Sequence, residues 1–259
     1  MATREWDAAT YDRVSGPQLR WGLAVLERLE LAGDERVLDA GCGSGRVTER
    51  LFERLPRGTV VALDASEAML EEAARRLAPH RSRVELVRAD LGEPLPLSSP
   101  VDAVLSTAVF HWVPDHDALF RNLAAVLRPG GRLVAQCGGA GNAASVLRAA
   151  RRLHDAWVRP ENFATPEATR RRLETAGFVE VETWLHEEPT PFAAGEEIET
   201  FLRTVILGPH LEHMPPEAHD DFVQAVAASL GPRPVIDYVR LNILATRGED
   251  AGGGPVGTA

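Results

Sequence analysis

Three glycines spaced two residues apart, in Val37-Leu-Asp39-Ala-Gly41-Cys-Gly43-Ser-Gly45, are the densest chemical signal in the chain. Glycine lets the backbone turn tightly and approach a ligand without a Cβ in the way. A helix starting just after such a loop offers free N–H groups and a positive dipole end. The loop is not the dinucleotide fingerprint G-x-G-x-x-G, because Arg46 stands at the last position. Nor is it a phosphate P-loop, which needs Gly-Lys-Ser/Thr, in a chain with no Lys. Asp64 follows Gly45 by 19 residues, where a carboxylate at a strand end can accept from both hydroxyls of a ribose. Asp90, in Arg88-Ala-Asp-Leu91, can accept from an exocyclic amine. Three acids at successive strand ends suit a cationic or neutral nucleoside and would repel a polyphosphate. Taken singly, a glycine loop is also a tight turn and a strand-end Asp also a helix cap.

These residues need strand ends to hold them, and the apolar pattern supplies the strands. Arg36–Ala40, Thr59–Asp64, Arg83–Arg88, Val101–Ser106 and Arg132–Cys137 are short apolar runs of strand length. Near-continuous apolar content suits strands covered on both faces of a parallel sheet. Helical spacing appears over 17–31, after Gly45 (Val47, Leu51, Leu55), after Ser66 (Met69, Leu70, Ala73, Leu77) and near 117–128, the last stopping at Pro129-Gly-Gly. This alternation predicts a doubly wound α/β sheet with ligands beyond the carboxyl ends of its strands. The second half changes character, with helices expected over 143–157, 166–176 and twice within 196–230. Strands are expected over Phe178–Leu185 and Val235–Thr246. The helices read as a lid on a single α/β domain.

Composition narrows the partners. The chain has 259 residues, 28 Arg against 38 Asp and Glu, and a formal net charge of −10. That balance argues against sequence-independent nucleic-acid binding, which depends on clustered Lys and Arg. No apolar run approaches the ~20 residues of a membrane helix, and residues 1–20 carry no signal-peptide pattern. Cys42 and Cys137 can form neither a disulfide framework nor a four-ligand zinc site. The expectation is a cytoplasmic protein, a monomer or weak homodimer, acting on a small molecule without metal, nucleic acid or membrane.

The residues Asp39-x-Gly41-x-Gly43-x-Gly45, Asp64 and Asp90 resemble the cofactor signature of class I S-adenosylmethionine-dependent methyltransferases, over roughly residues 30–137. The resemblance implies a Rossmann-like, mostly parallel seven-stranded sheet. It divides the chain into cofactor-covering helices (1–34), a core (35–139), a helical lid with the final strands (140–247) and a disordered tail (248–259). It also implies that S-adenosyl-L-methionine binds at Asp39, Gly41, Gly43, Gly45, Asp64, Ala65, Met69, Asp90, Leu91, Thr107 and Tyr11. Gly41 and Gly43 would lie near the methionine part, Asp64 on the ribose, Asp90 on adenine and Met69 beside it. Asp39 would orient the loop or accept from the methionine ammonium.

A second block, Ser106-Thr-Ala-Val-Phe110-His111-Trp112-Val-Pro114-Asp115-His116, resembles a subgroup that esterifies small acids: the trans-aconitate and juvenile hormone acid methyltransferases. Trp6, Tyr11 and Gln18 resemble that subgroup's opening segment, which folds over the cofactor. Malonyl-carrier-protein methyltransferases share much of the same core. The Asn/Asp-Pro-Pro-Tyr/Phe string that resembling nitrogen methylases carry is absent. A carboxylate is already nucleophilic and needs in-line placement and desolvation, with no general base. Gln18 and Trp112 are the candidate donors to the acid, and His111 an alternative donor, or a base if the acceptor is a phenol or enol. Trp112 also reads as a packing aromatic, His111 as a strand-end histidine and Gln18 as an exposed helix residue. A cofactor-binding protein without turnover is the remaining alternative. Cations for an anionic acceptor could come from Arg148, Arg151, Arg159, Arg203 or Arg240.

Overall fold

A computed structural model describes residues 6–154 and 162–249. In chain order the elements are α1 (Ala8–Val14), α2 (Gly16–Leu26), β1 (Arg36–Ala40), α3 (Arg46–Arg54), β2 (Thr59–Asp64), α4 (Glu67–Arg76) and β3 (Val84–Arg88). Then come β4 (Val101–Thr107), α5 (His116–Val126), β5 (Leu127–Gly138), α6 (Ala144–Leu153), α7 (Pro166–Thr175), β6 (Phe178–Glu187) and β7 (Thr190–Pro191). The chain closes with α8 (Glu196–Phe201), α9 (Gly208–Leu211), α10 (His219–Ser229), β8 (Val235–Ile236) and β9 (Val239–Arg247).

Seven strands form one sheet in the order β3-β2-β1-β4-β5-β9-β6. The first five run parallel, and β9 is antiparallel to both its neighbours. The strand order reverses between β1 and β4, which opens a crevice above their carboxyl ends. Alternate residues feed opposite faces. Leu38, Val61, Leu63 and Val104 pack with Phe120 and Leu123 of α5 and Leu173 of α7. Val37, Val60, Ala62 and Leu105 pack with Val25 of α2, Leu51 and Phe52 of α3 and Ala73 of α4. This two-sided burial is why β1 and β2 lack polar alternation. A third apolar cluster holds the lid, where Val146, Leu147, Phe201, Val205, Phe222 and Val226 gather around Trp21 of α2 and Tyr238.

Local caps set the helix starts. The Ser66 hydroxyl accepts from the Met69 N–H at 3.3 Å. Asp115 accepts from the N–H groups of Asp117 and Ala118, each at 2.9 Å. Thr165 caps α7 with Pro166 in its first turn.

The structure departs from the sequence reading at several places. Strand β5 begins at Leu127 and runs through Pro129-Gly-Gly, which the sequence reading takes as a break before a strand at Arg132. The expected helix over 143–157 is observed as Ala144–Leu153, and 155–157 lie outside the described residues. The expected helix over 17–31 ends at Leu26, and a separate α1 precedes it. The expected pair of helices within 196–230 is broken by a π-turn at Leu202–Ile206, by the short α9 and by Pro215-Pro216. The expected long final strand splits at Asp237, whose carboxylate is drawn away to accept from Ser145 N and Oγ. Helix α6 begins at a left-handed Ala143 with no side-chain cap of its own, so Asp237 supplies one from a distant part of the chain. The tail beyond Glu249 lies outside the described residues.

Candidate functional site

The glycine loop leaves β1 at the crevice. The Gly41 and Cys42 N–H groups both donate to the Leu63 carbonyl of β2, at 2.8 and 2.9 Å. Gly41 has φ +83°, and a Cβ there would stand 2.3 Å from Val109 Cγ2, so only glycine fits. Gly43 has φ +54° and nothing within 4 Å of where its Cβ would point. Its N–H donates to Asp64 Oδ2 at 2.8 Å. Asp64 Oδ1 accepts from the Ser66 N–H at 2.9 Å. The Asp64 carboxylate is thereby fixed by two backbone amides at the end of β2.

A cavity of about 230 Å³ lies above these strand ends. Gly41, Gly43, Asp64, Ala65, Met69, Asp90, Leu91, Thr107 and Tyr11 all line it. Asp39 and Gly45 do not. Asp39 is buried behind the loop, where its Oδ2 accepts from Thr48 Oγ1 at 2.6 Å. Desolvation raises its pKa to about 6, against the lowering effect of the Thr48 hydroxyl. Gly45 is the left-handed residue that starts α3. Asp90 is exposed at the rim, its Oδ1 accepting from the Gly92 N–H at 2.9 Å.

The N-terminal segment roofs the cavity and is tied down by charge. Asp12 of α1 accepts from Ser44 Oγ and from Arg76 of α4. Arg46 reaches up to the Asp12 carbonyl at 2.9 Å and to Ser15 Oγ at 3.2 Å. Trp6, Tyr11 and Trp112 meet edge-to-face above, with Trp6 centroids 5.4 and 5.7 Å from the other two. Burial pushes the Tyr11 phenol up to about 12, so it remains a neutral hydroxyl.

A smaller cavity of about 50 Å³ adjoins the first. Trp6, Tyr11, Gln18, Ala108 and Trp112 line both and form the seam between them. Ala108 sits there at φ +61°, a strained conformation for a residue with a Cβ, with its N–H donated to the Gln136 carbonyl at 2.7 Å. At the seam, Gln18 Oε1 is buried and makes no hydrogen bond. Gln18 is therefore no exposed helix residue. Either end of its amide can turn to a partner.

His111 lines the second cavity, stacked on Phe163 with centroids 5.6 Å apart. Its Nδ1 accepts from the Gly138 N–H at 3.3 Å, which leaves the ring proton on Nε2. Desolvation first, then the Arg240 charge, hold its pKa well below the usual imidazole value. His111 is consequently a neutral donor, and neither ring nitrogen is free to act as a base. His116, in contrast, opens α5 with Nε2 against the Phe110 carbonyl at 2.8 Å.

Among the five candidate arginines, Arg240 reaches the site. Arg148 and Arg151 are exposed, Arg203 pairs with Asp220, and Arg159 lies outside the described residues. Arg240 is 2% exposed, its guanidinium 4.5 Å from the Trp21 ring centroid. Its Nε donates to Gln136 Oε1 at 3.3 Å, and its Nη2 has no partner. Gln136 Nε2 donates in turn to Asn242 Oδ1 at 2.9 Å. The sequence reading passed over this polar pair. A Gln and an Asn interrupting the apolar runs of β5 and β9 were the signal available. Both cysteines are buried free thiols raised by desolvation.

The site's chemistry fits S-adenosylmethionine. Acids at its floor and rim favour a sulfonium cation over a phosphate, and the open face at Gly43 admits a ligand against bare backbone. Residues 37–131 match the family described as a methyltransferase domain. The trans-aconitate 2-methyltransferase of Methylobacterium nodulans is 31% identical, over 94% of this chain and 98% of that relative. The enzyme of that name from Acidovorax ebreus is 36% identical over 51% of this chain, an alignment spanning 49% of its own length. The solved phosphoethanolamine N-methyltransferase 2 of Haemonchus contortus, in complex with S-adenosyl-L-methionine, shares the fold. Its TM-score is 0.61 at 20% identity, covering 94% of this chain and 57% of that one. With the glycine loop, the strand-end acids and a relative aligned along nearly its whole length, this chain belongs to the class I S-adenosylmethionine-dependent methyltransferases.

Proposed function

We propose that the enzyme O-methylates a small carboxylic acid, with the acceptor in the second cavity and the donor in the first. The observation that carries this reading is the Arg240 guanidinium: buried in the acceptor cavity, with Nη2 unpaired and no carboxylate within salt-bridge distance among the described residues. A buried cation without a counter-ion is destabilising, so the site is incomplete until an anion enters. The relatives named trans-aconitate 2-methyltransferase act, by that name, on an acid, which agrees.

In this reading Asp64 accepts from the ribose hydroxyls, and Asp90 with Leu91 and Met69 bounds the adenine. Gly41 and Gly43 bring bare backbone to the methionine part, with Ala65, Thr107 and Tyr11 completing the walls. Asp39 and Gly45 act from behind by fixing the loop and the start of α3. Bound S-adenosylmethionine supplies an electrophilic methyl group on a sulfonium. The chain's own task is to bring a carboxylate oxygen to the seam at Ala108 and Trp112, oriented by Arg240 and by the donors His111 Nε2–H, Trp112 and Gln18. The roof of Trp6, Tyr11 and Trp112 excludes water from the seam, so the carboxylate is desolvated. No proton has to be removed. The phenol or enol alternative loses its base, because His111 Nδ1 is already engaged by Gly138.

A turnover screen tests this: S-adenosylmethionine with carboxylic acids, phenols, and carrier-protein thioesters that bear a free carboxyl. S-adenosylhomocysteine release is the readout, with mass spectrometry of the product. Methyl esters of small acids are the expected products. Methyl ethers with silence across the acids would sink the proposal.

A further inference from the structure

We infer that the acceptor cavity takes a short acid with one carboxylate and an apolar body, its carboxylate on Arg240 and Arg240 itself positioned by Gln136. This rests on the acid-methylating reading and narrows it to a substrate class. Among the described residues lining the cavity, Arg240 is the one cation. The same cavity is lined by apolar Ala143, Leu147, Phe163, Val205 and Ile206 and by the neutral amide of Asn142, whose Oδ1 is already taken by the Val239 N–H. The Tyr238 hydroxyl, beside the Gln18 amide, makes no hydrogen bond of good geometry, and burial keeps that phenol protonated. One carboxylate therefore meets a guanidinium fork and neutral donors. A second carboxylate on the same molecule would be pressed into aliphatic side chains without a counter-ion. Tight recognition of two or three carboxylates needs as many converging cations. The other described lid arginines are exposed or already paired. Size points the same way, since about 50 Å³ holds roughly four water-sized groups beyond the seam.

The Gln136 side chain explains how the Arg240 guanidinium is aimed. Gln136 Oε1 takes Arg240 Nε, and Gln136 Nε2 is fixed by Asn242 Oδ1. Asn242 Oδ1 also receives Arg28 Nη1 at 2.5 Å, and Asn242 Nδ2 lies 2.9 Å from His186 Nδ1. With Nε held, the unpaired Nη2 is left for the ligand. Gln136 is a positioning residue, acting through Arg240.

The test compares monocarboxylates of about four to eight carbons with dicarboxylates of the same skeleton, crotonate against fumarate being the shortest pair, and with trans-aconitate. Initial rates give kcat/KM, and calorimetry gives acid affinity on enzyme loaded with S-adenosylhomocysteine. Monocarboxylates should exceed their dicarboxylate partners by about tenfold or more, the factor that 1.4 kcal/mol represents. Arg240→Gln should abolish acid binding, leave S-adenosylhomocysteine affinity intact and raise the melting temperature, because an uncompensated buried charge is gone. Gln136→Ala should raise KM for the acid with little change in kcat. Gln136→Glu should be worse than Gln136→Ala, since the new carboxylate would occupy the guanidinium. Preference for fumarate or trans-aconitate would overturn the inference and leave acid methylation standing. Acid binding unaffected by Arg240→Gln, in a variant that still binds S-adenosylhomocysteine, would also overturn it. Absence of any methyl ester across the panel would remove the parent reading, and this inference with it.

Discussion

Two aspartates at the crevice do opposite things because their surroundings differ. Asp64 is half-buried at a strand end and held by the Gly43 and Ser66 amides. Replacing it with Ala should weaken S-adenosylmethionine binding by roughly 1.5–3 kcal/mol, the worth of a hydrogen bond to a charged group. Calorimetry checks this, and unchanged affinity contradicts the ribose assignment. Asp39 is fully buried and accepts from the Thr48 hydroxyl, and desolvation sets its pKa at about 6. Its folded pKa lies above the unfolded one, so the folded state holds the extra proton. Its contribution to stability is present below about pH 4 and is lost as pH rises to about 6. Asp39→Asn should remove that slope, flattening stability between those limits by roughly 2–3 kcal/mol relative to the parent. Parallel slopes in denaturant titrations across that range would contradict the placement of the charge.

At the scale of elements, α1 is a roof held by few contacts. It has seven residues, too short to be stable alone, and its grip on the core comes from Asp12 with Arg76, Ser44 and Arg46. Asp12 and Arg76 are both largely shielded, 19% and 24% exposed, so this pair is worth more than an open surface bridge. Asp12→Ala should loosen the roof and leave the sheet folded. The expected result is severalfold weaker S-adenosylmethionine binding with faster release in stopped-flow, and a melting temperature within a few degrees of the parent. Equal release rates would show that α1 does not gate the cavity.

For the whole molecule, the ionisable groups lining the smaller cavity are in one state across neutral pH. Arg240 is charged, His111 is neutral with its pKa well below the usual range, and Tyr11 titrates near 12. A carboxylic acid is itself ionised there. The value of kcat/KM should therefore be flat from about pH 7 to about pH 9. A rise across neutrality would require a base that neither His111 nor the tyrosines supply, and would return the phenol reading. The lid makes this isolation possible. Its apolar cluster closes around Trp21 and Tyr238, so the guanidinium over Trp21 is sealed from solvent.

What the sequence determined by itself was local or periodic. The runs Arg36–Ala40 and Thr59–Asp64 are the observed β1 and β2, because burial on both faces demands unbroken apolar residues. The glycine spacing located the loop because positive φ and backbone approach exclude other residues at Gly41. The strand-end position of Asp64 followed from the same register. The second half was less legible because its structure is set by contacts between distant segments. Asp237 ends a strand in order to cap α6, and nothing near it in the chain announces this. The choice of Arg240 among five arginines was made only by tertiary packing. Its neighbours Trp21 and Gln18 come from α2 and Gln136 from β5, segments more than a hundred residues away in the chain. A side chain's charge is written in the sequence, but its lack of a counter-ion is a property of everything folded around it.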